Sequence, residues 1–96
     1  MCTSSSWTCL LITAEWCGSC QSLYPVVEKI EHEFQGRIDF IKIDIDKHPS
    51  FSERFKISSV PTLLLYHQGK EVWRRANLLT TAEFRSLLNR YLPDTL

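Results

Sequence analysis

Two cysteines separated by two small residues are the most reactive feature of the sequence, in the run Trp16-Cys17-Gly18-Ser19-Cys20. An apolar run precedes them and a segment of helical periodicity follows, which predicts Cys17 at a helix N-terminus and Cys20 one turn inside the helix. Free N–H groups and the helix dipole favour an anion at that end, so we expect the pKa of the Cys17 thiol below its free value of about 8.5. Gly18 and Ser19 leave room for a substrate to approach, and the spacing lets a disulfide close within one turn.

Three other uses of a cysteine pair fit this sequence less well. Structural zinc needs a second Cys or His pair at similar spacing, whereas Cys2 and Cys9 are seven residues apart. Haem attachment of the c type needs His directly after the second Cys, and Gln21 stands there. A purely structural disulfide is disfavoured in a reducing compartment. The pattern therefore favours a redox dithiol, and it predicts no metal site.

Composition and charge exclude several classes of function. The chain has 96 residues with 11 Lys+Arg and 11 Asp+Glu, so it lacks the basic excess typical of nucleic-acid binders. Apolar runs such as Leu63–Tyr66 fall far short of the roughly 20 residues that span a bilayer. Met1–Ser6 has no basic region of a signal peptide. We therefore expect one domain over residues 1–96, with no membrane segment and a cytoplasmic location.

The elements that must position the dithiol follow the order β-α-β-α-β-β-α. Strands are predicted at Trp7–Thr13, Ile38–Ile45, Thr62–His67 and Glu71–Arg75, and helices at Cys17–Phe34, Pro49–Phe55 and along the apolar stripe Phe84–Leu92. A right-handed crossover makes the first two strands parallel, and a turn at Gln68-Gly69 makes the last two an antiparallel hairpin. The predicted fold class is α/β, a four-stranded mixed sheet with helices on both faces. Arg74 and Arg75 are expected at a solvated strand end.

The sequence resembles the thioredoxin family from Trp7 to Leu92. The matching landmarks are the dithiol run, the helix-kinking proline, the lysine on the strand beside the dithiol, the cis-proline segment and the glycine of the last hairpin turn: Trp16–Cys20, Pro25, Lys42, Val60-Pro61 and Gly69. This resemblance implies a thioredoxin-like fold. It also implies that the backbone before Pro61 pairs with a bound substrate.

The sequence departs from the family pattern at four places. Only six residues precede Trp7, so the family's N-terminal strand-helix unit is expected to be missing. Ser19 replaces the proline between the cysteines, which puts the redox potential in question. Leu11 stands where the family has a buried Asp that helps to move the proton of the second cysteine. Asn77 replaces a glycine beside the groove.

The missing unit has a consequence for the strand Ile38–Ile45. In the family, the absent strand pairs beside this one, so here it becomes an edge with unpaired backbone groups. We expect weak self-association through this edge, or a cover built from Met1–Ser6.

The resemblance implies a thiol–disulfide oxidoreductase that serves electron transport and cell redox homeostasis. Cys17 is the expected nucleophile and Cys20 the resolving cysteine. The resemblance also implies a set of residues that line the substrate groove and a set that supports the dithiol. The groove residues are Trp16, Gly18, Ser19, Val60 and Pro61, and the supporting residues are Lys42, Pro25 and Leu11. No cofactor is expected to be bound. The partners implied are protein disulfides and a reductase like thioredoxin reductase with NADPH. The alternative is a binding or assembly module with little turnover.

Overall fold

The computed structural model describes residues 7–76 and 79–92. Within them it has four strands and three helices in the predicted order. The elements are β1 at Trp7–Thr13, α1 at Gly18–Glu33, β2 at Asp39–Asp44, α2 at Ser50–Arg54, β3 at Thr62–His67, β4 at Lys70–Arg75 and α3 at Thr81–Tyr91. The predictions on Met1–Ser6, Cys2 and Asn77 lie outside the described residues.

The four strands form one mixed sheet in the order β2-β1-β3-β4. β1 runs parallel to β2 and antiparallel to β3, which places it in the interior of the sheet. β3 and β4 form the predicted antiparallel hairpin, and Gln68 and Gly69 between them have φ of 53° and 83°. Two successive positive φ values match the twist of a hairpin, and only glycine adopts this conformation without strain. The predicted α/β class and the mixed sheet are confirmed.

Helices cover both faces of the sheet because successive side chains of β1 point to opposite sides. Cys9 and Leu11 face the larger core, to which α1 and α3 contribute their buried residues. Leu10 and Ile12 face a smaller core, which is closed by aromatic side chains of α2 and its C-cap. Cys17 is the N-cap of α1 and Cys20 lies in its first turn, so the helix that presents the dithiol belongs to the larger core.

The element boundaries differ slightly from the predicted ones. β2 is shorter than predicted, although the Ile45 N–H still donates to the carbonyl of Thr13 at 2.9 Å. Pro49 is the N-cap of α2 rather than a residue of its first turn. α1 ends at the C-cap Phe34, and Gly36, two residues later, has φ of 84°. These shifts affect only the ends of elements, where hydrogen-bonding criteria decide the last residue.

α3 begins with a capping box formed by Thr80 and Glu83. The Thr80 side chain accepts from the Glu83 N–H at 3.1 Å, and the Glu83 carboxylate accepts from the Thr80 N–H at 2.9 Å. Both groups satisfy backbone donors that the first turn of a helix leaves free. The helix start is thereby fixed beside the end of β4.

Arg74 is exposed near the end of β4, as the sequence suggested, and its side chain is also held by other residues. Its guanidinium donates to the carbonyls of Phe55 and Lys56 at 2.9 and 3.1 Å, and it pairs with both carboxylate oxygens of Glu71. Lys56 has φ of 55°, so the chain turns sharply after α2 and exposes these carbonyls to Arg74. One side chain can make all of these bonds because a guanidinium is planar and carries several donors in a fixed fork. Arg74 therefore ties β4 to the end of α2.

Candidate active site

The cysteine pair lies at the N-terminus of α1. Cys17 is the N-cap residue, and its extended backbone (φ −88°, ψ 105°) turns the sulfur over the first helical turn. That sulfur accepts a hydrogen bond from the Cys20 N–H at 3.1 Å. The two cysteines form a disulfide with Cα atoms 5.4 Å apart. Cys17 therefore occupies the place where backbone donors stabilise a negative charge.

The two cysteines differ in exposure. Cys17 is 4% exposed and Cys20 is fully buried. Between them, Gly18 and Ser19 are both exposed, and the space where a Cβ of Gly18 would lie is open. The Ser19 hydroxyl lies 3.5 Å from the Cys17 sulfur. A substrate sulfur can therefore reach Cys17 from this side, while Cys20 is accessible only through Cys17.

Trp16 stands at the rim of the site. It is 68% exposed, and its indole N–H donates to the Asp46 carboxylate at 3.4 Å. Asp46 in turn follows β2, so the indole is anchored to the neighbouring loop rather than packed in the core. An exposed aromatic surface held in place is suited to contact a bound partner.

The segment before β3 forms the opposite side of the site. The Val60-Pro61 peptide bond is cis, as the family resemblance implied. Val60 packs against the cluster formed by Ala14, Cys17 and Cys20. Thr62 fixes this segment by donating from its hydroxyl to the Ser59 carbonyl at 2.7 Å. Val60 and the dithiol are therefore brought together, although Val60 lies 40 positions after Cys20 in the sequence.

The residues expected to support the disulfide are placed on β1, β2 and α1. Leu11 is buried in the larger core, and its register partner on β2 is Lys42. The Lys42 ammonium lies 4.6 Å from the ring centroid of Tyr24. Pro25 lies inside α1, as predicted, with an exposed side chain. The place of the expected acid thus holds an apolar side chain, and the lysine on the neighbouring strand lies over an aromatic ring that packs against the cysteine cluster.

Two residues near the cysteine cluster, Thr13 and Tyr24, were not identified as site residues from the sequence. The Thr13 hydroxyl lies 2.8 Å from the Tyr24 hydroxyl, and Thr13 is only 3% exposed. Tyr24 also packs against the cysteine cluster. Its position four residues after Cys20 places both on one helix face, which is the signal that could have identified it. The contact with Thr13 depends on how α1 docks on β1.

Cys9 is a third described cysteine, and it is separate from the reactive pair. It is 1% exposed on β1, and burial raises the pKa of its thiol to about 12. Within residues 7–76 and 79–92, no group of three or more His, Cys, Asp or Glu side chains is placed to hold a metal ion. No helix in the same ranges has the length and apolar composition needed to cross a bilayer.

Known proteins share both the sequence pattern and the fold. The thioredoxin family model matches residues 3–90. Thioredoxin of Staphylococcus haemolyticus is 30% identical over 79 residues, which are 82% of this chain and 76% of that protein. Thioredoxin of Staphylococcus aureus is 29% identical over the same shares of both chains. A mutant thioredoxin from Halobacterium salinarum has a TM-score of 0.85 and 28% identity, covering 98% of this chain and 81% of that one. With its paired cysteines, the chain belongs to the thioredoxin family of thiol–disulfide oxidoreductases.

Proposed function

We propose that this protein reduces or exchanges disulfides of other proteins, with Cys17 as the nucleophile and Cys20 as the resolving cysteine. The observation that carries the proposal is the position of Cys17 as the N-cap of α1, where its sulfur accepts the Cys20 N–H. The same backbone donor stabilises a thiolate once the disulfide is reduced.

In the first step, the Cys17 thiolate attacks one sulfur of the substrate disulfide. A bond forms between Cys17 and that sulfur, and the other substrate sulfur leaves with the electron pair of the broken bond. The exposed Gly18 and Ser19 leave the approach open, and Trp16 and Val60 border the site. The product is a mixed disulfide.

In the second step, Cys20 loses its proton and attacks the sulfur of Cys17. The Cys17–Cys20 bond forms, and the second substrate sulfur leaves as a thiolate that takes up a proton. Two electrons have then passed from the cysteine pair to the substrate. The burial of Cys20 keeps it from reacting with outside disulfides before the mixed disulfide exists.

A dithiol donor must reduce the Cys17–Cys20 disulfide for another turnover. We assign this role to a reductase of the thioredoxin-reductase class, and the reaction itself needs no bound metal or organic cofactor. The site of action is a reducing compartment such as the cytoplasm, because the pair must return to the dithiol state. Both assignments rest on family membership.

Insulin reduction with dithiothreitol as electron donor tests the proposal. The wild-type protein should accelerate insulin precipitation, and Cys17→Ser should abolish the acceleration. Cys20→Ser should accumulate mixed disulfides, which a non-reducing gel detects, because nothing resolves them. Cys9→Ser serves as the matched control and should keep full turnover, since Cys9 lies outside the site. Trapping by Cys17→Ser together with turnover by Cys20→Ser would reverse the two roles.

A second candidate function is a binding or assembly module that uses the groove without turnover. The observation that favours it is Leu11, an apolar residue in the core where the resemblance places an acid. A module of this kind would bind unfolded or extended chains around Trp16 and Pro61 in either redox state. The insulin assay separates the candidates, because a binding module leaves insulin oxidised.

A further inference from the structure

The hydroxyl pair of Thr13 and Tyr24 occupies a place that the proposed reaction has not used. Thr13 is the last residue of β1, and Tyr24 follows Cys20 by one turn of α1. Their oxygens are 2.8 Å apart. Tyr24 also packs against the cluster of Ala14, Cys17 and Cys20. The hydroxyl pair is therefore carried in part by a side chain that packs against the cluster containing Cys20, the cysteine whose proton must leave.

The side chain at position 11 is a leucine, so the core has no carboxylate there that could take the proton of Cys20. Leu11 is 4% exposed and packs among apolar side chains of the larger core. Cys20 is itself fully buried, so bulk water does not reach it directly. Its proton needs a polar route through the packed side chains, because an unassisted charge in an apolar interior is costly.

The hydroxyl pair opens onto a solvent-filled space. Thr13 and Tyr24 both line a pocket of about 370 Å³ that also includes Lys42. The Lys42 ammonium lies over the Tyr24 ring at 4.6 Å. A hydroxyl both accepts and donates a proton, so two of them in contact can pass one without either carrying a lasting charge.

We infer that the hydroxyls of Thr13 and Tyr24 form the route by which the Cys20 proton reaches water in the resolving step. This inference rests on the proposed function. The Cys20 thiol gives its proton to the hydroxyl pair, which releases one to water in the pocket. The Cys20 thiolate then attacks Cys17, and the substrate sulfur leaves with the bonding electron pair and takes up a proton. The first attack by Cys17 does not use the route.

Other charged groups lie near Tyr24 and must be separated from it in any pH profile. The pocket lined by Thr13 and Tyr24 also has titratable side chains from the loop before α1, from β2 and from the loop after β2: Glu15, Lys42, Asp44, Lys47 and His48. The pocket on the other side of Tyr24 adds Glu28 and Glu31 of α1. Tyr24→Phe leaves all of these in place and removes only the hydroxyl.

Stopped-flow reduction of dithionitrobenzoate, an aromatic disulfide that releases the coloured thiolate thionitrobenzoate, tests the inference in a Cys2→Ser background. Attack by Cys17 releases the first thionitrobenzoate at a rate proportional to reagent concentration. Attack by Cys20 releases the second at a rate independent of it. Direct proton transfer by a side chain contributes about 10²–10⁴-fold, so loss of one hydroxyl of the pair should slow the second release by about tenfold near neutral pH.

Matched variants separate the hydroxyl from the packing. Tyr24→Phe and Thr13→Val should slow the second release and leave the first unchanged. The difference from the wild type should shrink as pH rises, because hydroxide can then take the Cys20 proton. Thr13→Ser keeps a hydroxyl and should restore the rate. Tyr66→Phe, a half-buried tyrosine on β3, should change neither phase.

The outcomes distinguish this inference from the proposed function. A wild-type protein that releases no second thionitrobenzoate would overturn the proposed function itself. A wild-type protein with both phases, and a Tyr24→Phe variant with the same second rate at every pH, would overturn the proton route alone. Equal slowing of both phases would also overturn it, because a change in packing would then account for the effect.

Discussion

Leu11 and Lys42 are register partners on the parallel strands β1 and β2, on the side of the sheet covered by α1. Placing a carboxylate at Leu11 would therefore set an acid beside the lysine, at the position where the family resemblance implies one. We predict that Leu11→Asp speeds the second thionitrobenzoate release near neutral pH, since a general base contributes up to about 10²–10⁴-fold. It should also lower the free energy of unfolding by about 1–3 kcal/mol, because a polar group enters the core.

Leu11→Asn is the control for this substitution. It has similar size and polarity but cannot take a proton near neutral pH. It should cost similar stability in urea unfolding and leave the release rate unchanged. Equal release rates in Leu11→Asp and the wild type would show that resolution is not limited by proton removal in this protein.

The Cys17 thiol of the reduced protein should be acidic. Its sulfur accepts the Cys20 N–H at the start of α1, and this bond strengthens when the sulfur is charged. Iodoacetamide alkylation followed by mass spectrometry should give a pKa for Cys17 below the free value of about 8.5. Gly18→Pro serves as a probe of the same helix start, since proline is tolerated in the first turn. A Cys17 pKa equal to that of an unfolded cysteine would contradict the role of the helix N-terminus.

Cys9 should make the protein less stable at alkaline pH. Burial raises its pKa to about 12 from 9.0, so above the unfolded value the unfolded chain loses a proton that the folded chain keeps. The stabilisation is complete below pH 9.0 and is lost as pH rises toward about 12. The free energy of unfolding should fall in this window by up to about 1.4 kcal/mol per pH unit more than in Cys9→Ala.

Urea unfolding of the oxidised protein at several alkaline pH values measures this difference. The Cys2→Ser background leaves Cys9 as the one free thiol, because Cys17 and Cys20 are joined. Lysine and tyrosine titrations are common to both proteins and cancel in the comparison. Parallel pH profiles of Cys9→Ala and its parent would contradict the buried thiol.

Arg74 should contribute to stability through geometry more than through charge. Its guanidinium serves the Phe55 and Lys56 carbonyls, while a lysine at this place presents a single ammonium. We predict that Arg74→Lys lowers the free energy of unfolding by about 1 kcal/mol, the net value of a typical hydrogen bond. Glu71→Gln removes the ion pair but keeps both carbonyl bonds, so it should cost less in the same urea titration. Equal losses in the two variants would assign the effect to the ion pair.

The β2 edge should support weak self-association. β2 is the outer strand of the described sheet next to β1, and Ile41 on it is 47% exposed. An edge with unpaired backbone groups and an apolar side chain invites a second strand. Ile41→Lys should weaken dimerisation at least about tenfold in sedimentation velocity, because a charge on an edge strand blocks pairing. Tyr91→Lys, which replaces an exposed aromatic of α3, should leave it unchanged. Monomers at high concentration in every variant would contradict the prediction.

Local patterns in the sequence were enough to predict most elements of this fold. β1 and β3 match their predicted bounds, because each is an apolar run flanked by residues that end a strand. Capping chemistry between Thr80 and Glu83 is equally local. The contacts of Arg74 with α2 were not predictable, since they join residues 18 and 19 positions apart across a turn.

The candidate site likewise has a part that the sequence predicts and a part that only the structure reveals. The cysteine pair and the cis-proline segment carry motifs that can be read directly. The Thr13–Tyr24 contact joins a strand end to a helix across 11 residues. Neither residue type is distinctive, so only the docking of α1 on β1 reveals that their oxygens meet.

The unequal cores on the two faces of the sheet divide the molecule by local stability. α2 has five residues, none of them buried, and the core beneath it is small. Segments with few buried contacts open at a lower free energy than the rest of a domain. The chain leaves α2 directly into the segment that ends at Val60. This segment, which borders the groove at Val60, can therefore change shape to fit different partners. The reacting cysteines lie at the start of α1, which belongs to the larger core.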